Sequence, residues 1–207
     1  MNRTELKTAA KSQIKGKIGI LFVITLIIGL ISGIASLILS FIPVVGSLAA
    51  SIIITPAFSL SIIRVYLDVV KGKHPQVGDA FCGFDDFWSA FKVTFLTGLF
   101  TFLWSLLFII PGIVKGISYS MSTYILAENK GKSALECINE SKAMTNGHKM
   151  DLFVLSLSFI GWGFLCAITF GIAGIWVVPY VQATYTNAYN SLKPIVVEDE
   201  QPNIIAE

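Results

Sequence analysis

Residues 103–129, LWSLLFIIPGIVKGISYSMSTYILAEN, decide the fold class of this chain. The stretch is an apolar run interrupted by Pro111-Gly112, after which Ser, Tyr and Lys residues stand among Ile, Val and Met. A membrane crossing needs roughly 20 largely apolar residues. Proline cannot continue a helix and disfavours helix just before it. The stretch therefore predicts two membrane spans joined by a tight turn at Pro111-Gly112.

The composition of the whole chain agrees with a membrane location. Apolar residues make up 54% of the 207 residues and charged residues only 14%, and the mean hydropathy is +0.74. Soluble domains carry about 25% charged residues, whereas the few charges here are clustered between apolar stretches. The formal net charge of +2 is too small to indicate nucleic-acid binding. The expected partner is the phospholipid bilayer, with other membrane proteins left open.

The same arrangement of span, turn and return span recurs on both sides of the central stretch. The predicted fold class is all-α, a polytopic membrane bundle of six transmembrane helices at about 18–40, 47–70, 90–110, 112–128, 151–169 and 172–190. The outer turns contain Pro43 with Gly46, Pro111 with Gly112, and Gly171 with Gly174. Residues 1–192 form a single domain, and the acidic residues 193–207 read as a disordered tail.

The distribution of Lys and Arg predicts the orientation of the spans. Of the 15 basic residues, only Lys115 falls on the side of the short turns. We therefore expect both termini to be cytoplasmic and the protein to lie in the bacterial cytoplasmic membrane. The repeated order of span, short turn and return span is also typical of three tandem hairpins, although any six-span protein with short outer turns would show it.

Two short segments outside the predicted spans have amphipathic patterns. Residues 4–15 set Leu, Ala and Ile against three lysines, which predicts a helix lying on the anionic inner leaflet. Residues 133–144 show the same pattern more weakly. We expect both segments to be cytoplasmic helices.

Polar residues at membrane depth are the candidate site residues, because a charge there is expensive. Lys115, Tyr119 and Ser122 share one face of the fourth predicted span, where hydroxyl groups could partner a buried ammonium. The alternatives are contact with a lipid phosphate or anionic substrate and an interfacial lysine at the outer headgroups. Span six carries a polar stripe that would either pack inside the bundle or line a cavity; its members include Gln182, Tyr185, Thr186 and Tyr189.

Arg64 and Asp68 stand four residues apart on the second span and could neutralise each other at the membrane edge. Asp85-Asp86 precedes span three, where negative charge favours a helix start. No metal site is predicted, because His74 and His148 lack ligand partners at suitable spacing. Three scattered cysteines (Cys82, Cys137 and Cys166) are expected to be inert thiols. No known catalytic motif is present, so we expect neither an enzyme nor a cofactor.

The chain resembles a family of uncharacterised bacterial integral-membrane proteins, mostly from Firmicutes, defined as a domain of unknown function. The resemblance covers nearly all of the chain to about residue 192. It rests on five stretches: MNRTELKTAAK (1–11), HPQVGDAFCGF (74–84), the residues 103–129 quoted above, SALECINESKAMTNGHKMDLFVLSLSFIGW (133–162) and GIWVVPYVQATYTNAY (174–189).

The resemblance implies a six-helix body in the bacterial cytoplasmic membrane and supplies no catalytic residues. The family is distantly similar to the membrane domain of some glycerophosphodiester phosphodiesterases, whose soluble catalytic barrel does not occur in this sequence. We expect a non-enzymatic scaffold or accessory factor in cell-envelope homeostasis, concerned with lipid handling or protection against membrane-active peptides. The alternative is a small permease with a polar cavity between spans four and six. The sequence leaves the oligomeric state open.

Overall fold

The computed structural model describes residues 2–39 and 45–193, with side chains for residues 2–38 and 54–193. Pro43 and nearly all of the predicted tail lie outside these residues. The described part is all-helical, as predicted, with two short 3₁₀ helices at Val77–Phe81 and Phe84–Asp86. Its α-helices are α1 (Arg3–Ile14), α2 (Ile18–Leu39), α3 (Val45–Val70), α4 (Phe87–Leu107), α5 (Ile109–Tyr119), α6 (Ser122–Glu128), α7 (Ala134–Met144), α8 (Lys149–Leu157), α9 (Ile160–Ile168) and α10 (Gly174–Leu192).

Three helical segments within the described residues are long and apolar enough to cross a membrane. They are Ile18–Ile38, Val77–Leu107 and Lys149–Ile168. These segments contain most of the first, third and fifth predicted spans. They indicate a membrane protein.

The fourth predicted span is divided between α5 and α6, where the sequence predicted one helix. The hydroxyl of Ser141 on α7 donates to the Ser118 carbonyl at 2.7 Å, and the Met121 N–H donates back to Ser141 Oγ at 3.2 Å. A side chain inserted in this way replaces the regular backbone bonds and interrupts a helix. The interruption therefore has its cause in a residue 20 positions further along the chain.

The two predicted turns that lie wholly within the described residues are at helix ends. Pro111 is the third residue of α5, within the first turn, and Phe108 before it is extended, so the helix loses nothing from the missing N–H. A Cβ atom at Gly112 would lie 2.1 Å from Ser105 Oγ, so glycine allows α5 to pack closely on α4. Gly171 adopts a φ of 88° between α9 and α10, a conformation that favours glycine.

Burial is concentrated at one end of the helices. In α2 the buried side chains Leu21, Ile24 and Ile28 lie near the start, while large apolar side chains further along are exposed. In α4 the buried residues Ala90 and Val93 are also near the start, whereas the buried residues of α10 lie from 177 onward. We call the tightly packed, charge-rich end the packed end and the other the open end.

Helix α1 packs in the protein core, which corrects the expectation that its apolar face lies on the membrane surface. Its apolar residues Leu6, Ala10 and Ile14 are buried in the protein core, mainly against α10, rather than free to lie on a membrane. The Asn187 side chain of α10 donates to the Leu6 carbonyl at 3.3 Å and to Gln13 Oε1 at 2.8 Å. An amphipathic pattern identifies an apolar face but not what covers it.

Candidate functional site

The connection between α3 and α4 folds back onto α3 and forms one wall of a charged site. The Gly83 N–H donates to Ser61 Oγ at 2.8 Å, and Arg64 Nη1 donates to the Cys82 carbonyl at 2.6 Å. The Phe84 ring meets Phe58 edge-on, with centroids 5.2 Å apart. These contacts hold residues 81–86 along the middle of α3.

The sequence predicted that Arg64 and Asp68 neutralise each other, and this prediction is wrong, because each pairs with a different residue. Arg64 forms an ion pair with Asp86, while Asp68 pairs with Lys73 at 2.8 Å. The hydrogen bond that Lys73 donates to the Asp68 carboxylate raises the pKa of Lys73. The predicted capping role of Asp86 is also corrected, because its carboxylate binds Arg64 while its side chain makes no cap bond to α4.

A cavity of about 280 Å³ lies between α3, the folded-back connection and the end of α6. Asp85 and Lys130 line it, are exposed, and form no ion pair with another described residue. We call it the charged cavity. Its charged lining comprises three basic and four acidic side chains, Arg64, Lys71, Lys130, Asp68, Asp79, Asp85 and Glu128.

Glu128 joins three helices at the rim of the charged cavity. Its carboxylate accepts hydrogen bonds from Lys71 Nζ at 3.0 Å and from the Tyr189 hydroxyl at 2.8 Å, and it pairs with Lys193. Tyr189 stacks on Tyr124, with ring centroids 5.2 Å apart. Glu128 therefore fixes the ends of α3 and α10 beside that of α6.

The three residues of the predicted polar face of span four have different surroundings. The half-buried Lys115 lies over the Trp104 ring, with its Nζ atom 4.7 Å from the centroid. Tyr119 packs against Phe100. Ser122 is fully buried, and its hydroxyl has no hydrogen-bond partner among the described residues. The ammonium of Lys115 thus finds an aromatic partner, not the expected hydroxyl groups.

The polar residues of span six have two kinds of surroundings: two bond to other helices, and one lines a cavity. The Tyr185 hydroxyl shares a hydrogen bond of 2.8 Å with Ser156, and Tyr189 binds Glu128 as described above. Gln182 instead lines a second cavity of about 320 Å³. We call this the Gln182 cavity; its other polar lining residues are Ser32, Thr55, Ser59 and Tyr124.

The charged cavity can bind a small charged or zwitterionic group, because both signs of charge line one concave surface. Within the described part of the chain, no group of three or more His, Cys, Asp or Glu side chains is placed to hold a metal ion. Burial raises the pKa of the Cys137 thiol on α7, which keeps it in the less reactive protonated form.

Sequence reasoning missed Ser61, Asp86 and Glu128 as site-forming residues. Asp86 was interpreted as part of a helix start, and Glu128, the last residue of the fourth predicted span, was given no role. One available signal was Gly83, since glycine is used where the backbone must approach another group closely. Nothing in the local sequence pattern indicated that the Gly83 N–H would bond to Ser61.

The comparisons with known proteins place the chain in one family. The family model described as "Protein of unknown function (DUF975)" matches residues 1–118 and 108–195. The chain belongs to this family, as the resemblance predicted at that level. No curated protein and no solved structure is significantly similar to it.

Proposed function

We propose that this member of the DUF975 family is a non-enzymatic protein of the bacterial cytoplasmic membrane. It serves as a scaffold or accessory factor in cell-envelope homeostasis, in lipid handling or protection against membrane-active peptides. In this proposal it acts through the charged cavity, where a charged group of a lipid or of a partner membrane protein binds.

The observation that carries the proposal is that most of the polar residues singled out in the predicted spans, Gln182 excepted, make packing contacts within the protein. Lys115 is held by Trp104, Tyr185 by Ser156 and Tyr189 by Glu128. Fully buried side chains fill the space around the second half of α3, among them Leu60, Ile125 and Leu126. A packed body of this kind favours a fixed platform over a pathway that must open and close.

We expect the double variant Asp85→Asn/Lys130→Ala to lose most of the protective function. Both side chains line the charged cavity and lack ion-pair partners among the described residues, so their loss should affect binding more than folding. The measurement is the peptide sensitivity and phospholipid composition of a strain lacking the gene, complemented with each variant. Lys15→Ala, which removes an exposed lysine elsewhere, is the control and should complement fully. Full complementation by the double variant would contradict the proposal.

A second candidate function is a small permease that uses the Gln182 cavity. Gln182 of α10 and Tyr124 of α6 line this cavity together, with Ser32 and Thr55 from α2 and α3. A polar group beside an open cavity at membrane depth is a feature of substrate pathways. This arrangement supports the polar cavity between spans four and six that the alternative requires.

The variant Gln182→Leu separates the two candidates in the same complementation assay. We expect it to complement as the unmodified protein does, because the accessory role does not use this cavity. Tyr185→Phe, which removes a neighbouring hydroxyl that bonds Ser156, is its matched control. If Gln182→Leu fails while the charged-cavity variant complements, the permease replaces the accessory factor.

We propose that the chain crosses the membrane six times, with α2, α3, α4, α5 with α6, α8 with α9, and α10 as the spans. The packed end and both termini face the cytoplasm in this topology. The concentration of lysines near the packed end supports it through the positive-inside rule.

We expect a single cysteine at Ile172 to react with an impermeant maleimide added outside cells, since its side chain is well exposed at the open end. Cysteines at Glu5, Gln76 and Glu140 should react only after permeabilisation. The three native cysteines are first replaced, and alanine is used at the buried Cys137. Labelling of any site from the opposite side would overturn the topology.

A further inference from the structure

An apolar groove of about 410 Å³ lies between α5 and α8, away from both cavities described above. Its walls are aliphatic and aromatic side chains, and the single charged residue that lines it is Lys149. We call it the lipid groove; its lining consists of Ile110, Ile113, Val114, Ile117, Lys149, Met150 and Phe153.

Lys149 lies at one end of a candidate membrane span, Lys149–Ile168. A residue at the end of a span is at the level of the phospholipid headgroups, where lysine meets phosphate. The groove-lining residues of α5 extend from Ile110 to Ile117, which is eight residues or about 10 Å of helix. The charge is thus at headgroup level, and the apolar walls extend into the hydrocarbon.

The charge of Lys149 is available to a ligand. It forms no ion pair with any other residue in the described part of the chain, and the neighbouring carboxylate of Asp151 lies 3.4 Å from His148 Nδ1. The groove walls are open as well, with Ile110 75% exposed. A ligand that satisfies both features has an anionic head and an apolar tail.

We propose that the lipid groove binds an anionic phospholipid, with its phosphate on Lys149 and one acyl chain between α5 and α8. The assignment rests on the membrane location proposed above and not on the role in envelope homeostasis. A second apolar groove, lined by Pro56, Phe91, Thr94, Phe95, Gly98, Leu99 and Phe102, has no charged residue in its lining. It therefore gives no basis for selecting an anionic lipid and serves as the internal control.

The test measures lipid retained by the purified full-length protein, using native mass spectrometry. Phosphatidylglycerol and phosphatidylcholine with the same two oleoyl chains are added separately. We expect phosphatidylglycerol to be retained preferentially, and Lys149→Glu to lower its retention about tenfold, since one attraction is replaced by a repulsion. Lys149→Arg should retain it. Ile113→Trp, which fills the groove, should lower its retention with the charge unchanged.

The matched control is Lys92→Glu, which reverses an exposed lysine on α4 beside the uncharged groove. It should bind phosphatidylglycerol as the unmodified protein does. Equal retention of the two lipids, or an unchanged Lys149→Glu variant, would overturn the proposal. A dimer signal that Ile113→Trp removes would overturn it too, because a second copy would then occupy the groove. Whether Lys149→Glu complements the gene-deletion strain tests the proposed function, and this test is separate from the measurement of lipid retention.

Discussion

Gly83→Ala should lower the midpoint of thermal unfolding by about 10 °C, from a loss of about 3 kcal/mol in stability. A Cβ atom at this position would lie 2.0 Å from the Ala57 carbonyl oxygen and 2.7 Å from the Ser61 backbone nitrogen. Both atoms belong to the backbone of α3, so they cannot yield by side-chain rotation. The folded-back connection must then separate from α3. The measurement is the fraction of detergent-solubilised protein that remains monodisperse after heating.

Gly78→Ala is the matched control for this experiment. It lies in the same connection, but its Cβ atom would have no neighbour within 4 Å. We expect its unfolding midpoint to stay within a few degrees of the unmodified value. If Gly83→Ala and Gly78→Ala have the same unfolding midpoint, the close contact at Gly83 does not hold the connection on α3.

Arg64→Met should lower stability by about 2–3 kcal/mol, less than a fully buried ion pair would. The Arg64 and Asp86 side chains are 11% and 22% exposed, so solvent screens part of the charge left unpaired. The Cys82 carbonyl also loses its donor. The unfolding midpoint should fall, and the Cys82 thiol should react faster with a maleimide as residues 81–86 loosen.

The double variant Arg64→Met/Asp86→Asn tests whether the ion pair is the cause. It should lose less stability than the sum of its two single variants, because the uncompensated carboxylate is removed. Lys71→Met is the comparison on the same helix. Its side chain is 50% exposed and pairs with Glu128, so its effect should stay below about 1 kcal/mol. Strict additivity would contradict a stabilising contact between Arg64 and Asp86.

The helices and turns were predictable because their signals are local. Long apolar runs give helix in a membrane, and Pro111 and Gly171 mark helix ends wherever the rest of the chain lies. The division of the fourth predicted span was not predictable, because the cause is Ser141 on a different helix. A contact between distant segments leaves no mark in the periodicity of either one.

The candidate site was predictable only in its parts. Arg64 was recognised as an unusual charge, but spacing along one helix suggested Asp68, whereas the folded-back connection supplies Asp86. The apolar face of α1 was also recognised, while its partner was assigned to lipid in place of α10. In both cases the sequence identified a group that needs a partner, and only the tertiary arrangement determined which one.

The contrast between the packed and open ends has a consequence for the surrounding bilayer. Helix ends at the open end, such as those with Ile109 and Ile168, carry exposed apolar side chains and are less enclosed by protein than the packed end, so they can adjust their tilt. Adjusting tilt in this way relieves hydrophobic mismatch at a cost of only fractions of a kcal/mol per Å. We therefore expect the protein to tolerate bilayers of different thickness, with the charged cavity unchanged while the far ends of its helices adapt.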